Sequence, residues 1–109
     1  MQNAAGSLHG TLDLLILKTL ARDPNHGFGI SLHIKEASAG LLAVEEGSLY
    51  PALHRLERAK LIQGHWRATA NARRARYYSL TASGRKRLAA AEDSWNTVAQ
   101  GVTRMMRFA

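Results

Sequence analysis

The sequence predicts a mainly α-helical fold with one small β-hairpin, and three observations predict it. Apolar residues recur at helical spacing in three stretches of the N-terminal part. Between Ile62 and Leu80 the period drops to two, with aromatic residues in place for strands. From Ala82 to Arg107 the helical steps of three and four return, with nothing but Gly84 and Gly101 to weaken a long helix. At 109 residues the chain has the length of one domain and no room for a second core.

The first helix is expected over Thr11–Ala21. Thr11 is its cap, Asp13 sits at the positive end of the dipole, and Arg22–Pro24 ends it. Leu12, Leu14, Leu15, Ile16, Leu17 and Leu20 cover most of its girth, so it must be covered on several sides. One side is its own domain; Leu12 and Leu15 are candidates for contact with the last helix or a second chain. A second helix is expected from about His26 to Ala39, ended by Gly40. Gly27 and Gly29 each weaken it by about 1 kcal/mol relative to alanine, which points to close packing or a loose start. No strand precedes this pair and a third glycine is missing, so it is not a dinucleotide fingerprint.

The third helix must accommodate Pro51, whose missing N–H is harmless only near a helix start. That places the start between Glu46 and Ser48, with Ser48 as the cap. Leu49, Leu53, Leu56 and Lys60 then fall on one side, with Ala52 close by. The opposite side carries Pro51, His54 and Arg58, flanked by Ser48, Tyr50 and Arg55, which suits a reading surface better than a core. Two strands follow, Ile62 to Arg67 and Arg76 to Leu80, joined by the basic connector ATANARRA. Helix, turn, reading helix and a hairpin with a cationic tip form, in order, a winged helix–turn–helix. Trp66, Tyr77 and Tyr78 are assigned to the core.

Thr81 caps the last helix, Ala82–Arg107, which is ~39 Å long at 1.5 Å per residue. Leu88, Ala91, Trp95, Val98, Val102 and Met105 form a seam at spacings of three and four, as in helices that pair. The helix is longer than so small a domain needs, which favours dimerisation over packing within the chain. Residues 1–80 are therefore read as the DNA-binding domain and 81–109 as the dimerisation helix of one compact unit.

Charge narrows the partner. The net charge is +7, yet Arg55 to Arg87 holds ten Lys/Arg against Glu57 alone. This concentration points to a polyanion. Double-stranded DNA is preferred to RNA, because no aromatic separates the bases of NARRAR. A membrane surface is disfavoured, because the bases lie on a hairpin and a reading helix and not along one amphipathic helix. Catalysis finds no support. The five histidines have no metal-ligand spacing, Glu45 and Glu46 are adjacent and point apart, and no serine sits in a nucleophile motif. No cofactor is expected. Absent cysteine excludes disulfides and suits the cytoplasm; LLIL is too short to span a bilayer, and MQNAAGSLHGT lacks a basic flank and a long apolar stretch.

The stretches GSLYPALHRLE (Gly47–Glu57), LI, a following W, and RRARYYSLTASGRKRL (Arg73–Leu88) together resemble the PadR family of bacterial transcriptional regulators. HGFGI and the leucine-rich first helix add to the likeness, which spans about Gly10 to Leu88. The single terminal helix is similar to that of the shorter members. The resemblance implies a dimer whose last helices pack across the two chains. It also implies repression of adjacent genes, relieved by a small molecule. It places Trp95 in a central pocket where it stacks on a flat aromatic effector; the alternative, Trp95 simply closing the dimer, stays open, as does a regulator with no effector. Two departures stand out: Lys60 where the family often has glycine, and Phe28 where tyrosine is common.

These lines assign DNA contacts to Ser48, Tyr50, Pro51, His54, Arg55 and Arg58 on the third helix and to Arg73, Arg74 and Arg76 on the wing. They assign the dimer interface to Leu12, Leu15, Leu88, Trp95, Val98, Val102 and Met105.

Overall fold

A computed structural model describes residues 8–71 and 73–108 of the chain. The elements run α1 (Leu8–Arg22), β1 (Asn25–His26), α2 (Gly27–Ala37), α3 (Glu46–Arg58), β2 (Ile62–Ala68), β3 (Arg74–Leu80) and α4 (Ala82–Arg107). The expected helices and hairpin are all present; the reading of the N-terminal segment as free of a secretion signal falls mostly outside the described residues. The hairpin pairs Ile62 with Leu80 through to Ala68 with Arg74. It is not alone. Asn25 and His26 add a short third strand against Tyr78 and Tyr77, giving the antiparallel order β1-β3-β2. A two-residue strand is too short for period-two patterning to announce it.

Ile16, Leu17, Ile30, Leu49, Leu53 and Ile62 are the largest side chains fully enclosed where α1, α2, α3 and the root of the hairpin meet. Of these, Leu49 and Leu53 belong to the face that helical spacing turns inward on α3, whereas α2 buries Ile30 and Ile34 and leaves Phe28 and Leu32, apolar residues of the same helix, exposed. Lys60 departs from the inward face of α3, exposed beyond the end of that helix. Leu88 of α4 also closes on this core.

Three helix starts show how local chemistry is settled. α1 begins at Leu8, so Thr11 lies inside the helix and not at its cap, and Asp13 falls beyond the first turn. Nothing from Leu8 to Gly10 is a strong enough breaker to delay a helix that packs along α4. α3 begins at Glu46 with Glu45 as cap residue and no side-chain cap, so Ser48 is already helical. Pro51 therefore sits in the second turn and deprives the Gly47 carbonyl of its helical donor. Gly47 is exposed, so water can satisfy that carbonyl. By contrast, α2 and α4 are side-chain capped: His26 Nδ1 accepts from Gly29 N at 3.0 Å, and Thr81 Oγ1 from Gly84 N at 3.0 Å.

Both α2 and α3 end in the same way. Ala39 (φ 55°) and Lys60 (φ 63°) are left-handed. Gly40 N then donates to Lys35 O and Leu61 N to Leu56 O, the bonds of a Schellman turn. At the end of α2 both Ala39 and the expected Gly40 (φ 81°) are left-handed. The turn after α3 is locked to α4: Thr81 Oγ1 lies 2.8 Å from Lys60 O and 3.0 Å from Leu61 O. Gly84 packs directly on the Leu61 carbonyl.

Candidate nucleic-acid interface

The outward face of α3 is built as its spacing requires. Leu49, Ala52, Leu53 and Leu56 are buried, which turns Ser48, Tyr50, Pro51, His54 and Arg58 to the surface. Tyr50 leans toward α2. A Cβ on Gly27 would lie 2.6 Å from its hydroxyl, so Gly27 gives it the room to pack. Gly29 similarly yields space to Asn25, whose Oδ1 accepts from His26 N at 2.8 Å. Both glycines therefore serve close packing at a well-capped helix start.

Arg55 is less free than its neighbours. Its Nη2 lies 2.6 Å from Asp13 Oδ1 on α1, with the Arg55 side chain 40% exposed. Arg76 on the wing is held likewise by Glu57 of α3, also at 2.6 Å. Arg58, Arg73 and Arg74 are exposed and enter no ion pair among the described residues. The structure thus divides the assigned arginines: three are open to a phosphate, and two already hold a carboxylate.

The start of α2, α3 and the β2–β3 hairpin border one cleft of about 400 Å³. Tyr50 comes from α3, His26, Gly27 and Phe28 from the start of α2, and Trp66, Arg73, Arg74 and Arg76 from the wing. Phe28, 68% exposed, stands at its rim. Trp66 overturns its assignment to the core: it is 55% exposed, with the guanidinium carbons of Arg74 and Arg76 at 5.1 and 5.6 Å from its ring centre. Alternation correctly gives it the face shared by Ile62 and Gly64, but the strands run on past the helices that cover that face. Arg67, which no sequence signal singled out, rests 4.5 Å from the Tyr77 ring centre. Tyr77 is only partly buried, packed edge-on against His26. Tyr78 is enclosed as expected. Burial, reinforced by the Glu57 carboxylate and opposed by Arg76, raises its phenol above the usual tyrosine range.

At the other end of the molecule α4 packs along α1, tied by Lys18 Nζ to Glu92 Oε2 at 2.7 Å. Trp95 is 41% exposed and lines a cleft of about 240 Å³ between the two helices, with Thr11, Leu14, Arg87 and Ser94. The seam splits along its length. Leu88 is buried within its own chain and Val98 is partly covered, whereas Val102 and Met105 are 52% and 70% exposed. Leu12 and Leu15 are partly buried against the core. Leu88 is therefore closed to a partner by this chain itself. No group of His, Asp or Glu suited to a metal ion occurs among the described residues, and no described helix is long and apolar enough to cross a membrane.

Residues 16–90 match the sequence profile of the transcriptional regulator PadR-like family. Solved structures agree over nearly the whole length. A transcriptional regulator from Clostridium thermocellum is 26% identical, with 89% of this chain and 94% of that one covered at a TM-score of 0.81. A PadR-like transcriptional regulator from Bacillus cereus is 28% identical over 94% and 97% of the two chains, with a TM-score of 0.78. A PadR-like transcription factor from Bacteroides fragilis is 32% identical over 89% and 91%, with a TM-score of 0.72.

Proposed function

The chain belongs to the PadR-like family of transcriptional regulators, and from that premise we propose that it is a homodimeric repressor of adjacent genes, released from double-stranded DNA by a small aromatic molecule. It is a DNA-binding regulator of transcription and not an enzyme. The observation that carries the proposed interface is the shared cleft. It sets Tyr50 of α3 beside Arg73 and Arg74 of the wing, so one duplex meets the reading helix and the cationic hairpin together. In this reading residues 1–80 bind DNA and residues 81–109 dimerise, and the protein works in the cytoplasm, where its DNA is.

Roles follow from placement. Arg58 and His54 reach base edges or phosphates from the exposed face of α3, Ser48 and Tyr50 contact backbone near its start, and Pro51 offers apolar contact to a thymine methyl. Arg73 and Arg74 meet phosphates through the wing. Arg55 and Arg76 are each tied to a carboxylate, Asp13 and Glu57, and contribute less. Trp95, Val98, Val102 and Met105 carry the dimer contact, supported by the apolar surface that α4 leaves open. Two copies of Trp95 sandwich a flat effector, and a tenfold loss of operator affinity needs only ~1.4 kcal/mol of coupling.

Exposed Phe28 and Trp66 beside the wing arginines favour a second reading, an RNA-binding winged helix. Against it, the Trp66 ring is already engaged by two guanidinium groups. A gel shift with duplex DNA, duplex RNA and anionic vesicles as competitors separates these partners. Preference for duplex DNA is expected, and preference for RNA would replace the proposal. Titrating Trp95 fluorescence with flat cationic and phenolic compounds, in a Trp66→Phe background, tests the effector. Quenching together with release of DNA is expected, and no response to any compound would leave a regulator without one.

A further inference from the structure

Of the wing arginines, Arg76 is the most constrained. Its Nη2 donates to Glu57 Oε2 at 2.6 Å, and its guanidinium lies over Gly64, where a Cβ would come within 2.8 Å of Nε and Nη2. Gly64 thus clears a place on the sheet face for that group. Directly across the strand pair stands Trp66, its ring centre 5.6 Å from the same guanidinium. Trp66 carries a second cation, Arg74, at 5.1 Å. A continuous chain of contacts therefore runs from Glu57 on α3 through Arg76 and Trp66 to Arg74 near the wing tip. Only its last member is an exposed cation with no carboxylate partner among the described residues.

An indole 55% exposed adds little to a core, and a phosphate offers it nothing to stack on. Its use lies in the cations it holds. An arginine loses rotamer freedom when it clamps a phosphate. A guanidinium already resting on a ring has surrendered part of that freedom in advance, so binding costs less. We propose that Trp66 is a positioning residue of the DNA interface, holding Arg74 in place for the duplex backbone through a contact chain anchored at Glu57 of the reading helix. The inference rests on the DNA-binding function proposed above. It gives Arg74 and Arg76 different jobs: Arg74 meets the phosphate, while Arg76, neutralised by Glu57, supports the ring.

The test is a double-mutant cycle in the full chain, read by fluorescence anisotropy of a short labelled random-sequence duplex across a salt series. Trp66→Ala should weaken binding about two- to fivefold per wing, the range of an exposed cation–π contact. Its salt slope should stay unchanged, because the phosphate contact itself survives. Arg74→Gln should flatten that slope by roughly 0.9 per wing, one phosphate contact each. In the Arg74→Gln background Trp66→Ala should have less than about twofold further effect, since the two residues act as one unit. Trp66→Phe, which keeps a π-face, should recover most of the loss. If Trp66→Ala fails to fold, Trp66→Leu takes its place in the cycle. An equal penalty in both backgrounds, or Trp66→Phe as weak as Trp66→Ala, overturns the positioning role while leaving DNA binding intact. Failure of the unaltered chain to bind the duplex in dilute salt would instead remove the DNA-binding function, and this inference with it.

Discussion

Replacing Lys60 by glycine should make the protein more stable. Lys60 occupies the left-handed position of the turn that ends α3, at φ 63°. A side chain there costs about 1–2 kcal/mol through its Cβ. Glycine escapes that cost but loses more freedom on folding, about 0.5–1 kcal/mol. The difference leaves a net gain of about 1 kcal/mol, or roughly 4 °C in melting temperature for a domain of this size. The backbone bonds are kept, because Lys60 contributes only its N–H to Glu57 O and its carbonyl to Thr81. Its side chain is exposed and enters no ion pair among the described residues. Lys60→Ala is the control, since it removes the charge and keeps the Cβ. Urea denaturation followed by circular dichroism, at one fixed protein concentration, reads the difference. If Lys60→Gly proves no more stable than Lys60→Ala, backbone strain at the end of α3 is not what the geometry says.

Gly84→Ala should destabilise by about 1–3 kcal/mol, because its Cβ would meet the Leu61 backbone carbonyl, which cannot swing aside. Gly47→Ala, with nothing within 4 Å, should instead gain up to about 1 kcal/mol; equal effects in urea melts would contradict the packing at the joint between α3 and α4. Asp13→Asn should lower stability by less than about 1 kcal/mol, as befits a half-exposed pair. It should also free Arg55 and tighten binding to random-sequence duplex in dilute salt; weaker binding would mean that Arg55 needs its carboxylate to sit correctly. The Tyr78 phenol should ionise above the usual tyrosine range in an ultraviolet titration. With its folded pKa raised, the stability from burying the neutral phenol is whole below about pH 10 and is lost as pH climbs through the raised value. Tyr78→Phe should remove that alkaline loss, and an unchanged pH profile would contradict the burial.

What the sequence disclosed of this fold follows from periodicity and strong punctuation. The α4 boundaries, Ala82 and Arg107, and its Thr81 cap are legible because a good capping residue stands at the change from period two to steps of three and four. The core residues of α3 are legible for the same reason. Caps made by the backbone alone are not: Ser48 has the chemistry of a cap, yet the helix starts at Glu46 with Glu45 before it and no side-chain cap. β1 escapes because two residues carry no period. The departure at Lys60, noticed as a lysine where glycine is common, did mark a left-handed residue. In the candidate site the exposed face of α3 was readable from what the core removes, but the pairing of Arg55 with Asp13 and Arg76 with Glu57 was not. Those partners lie 42 and 19 residues away, and no local pattern connects them. Trp66 was misassigned because alternation names the face of a strand and not how far along it the covering helices reach.

In the proposed assembly two chains, joined by their terminal helices, present two cationic wings to one duplex. Sedimentation equilibrium of the protein alone and with a short duplex in dilute salt measures this most directly. The expected result is the mass of two chains in the free protein and two chains on each duplex. A single chain in solution that binds the duplex one at a time, or not at all, would contradict it.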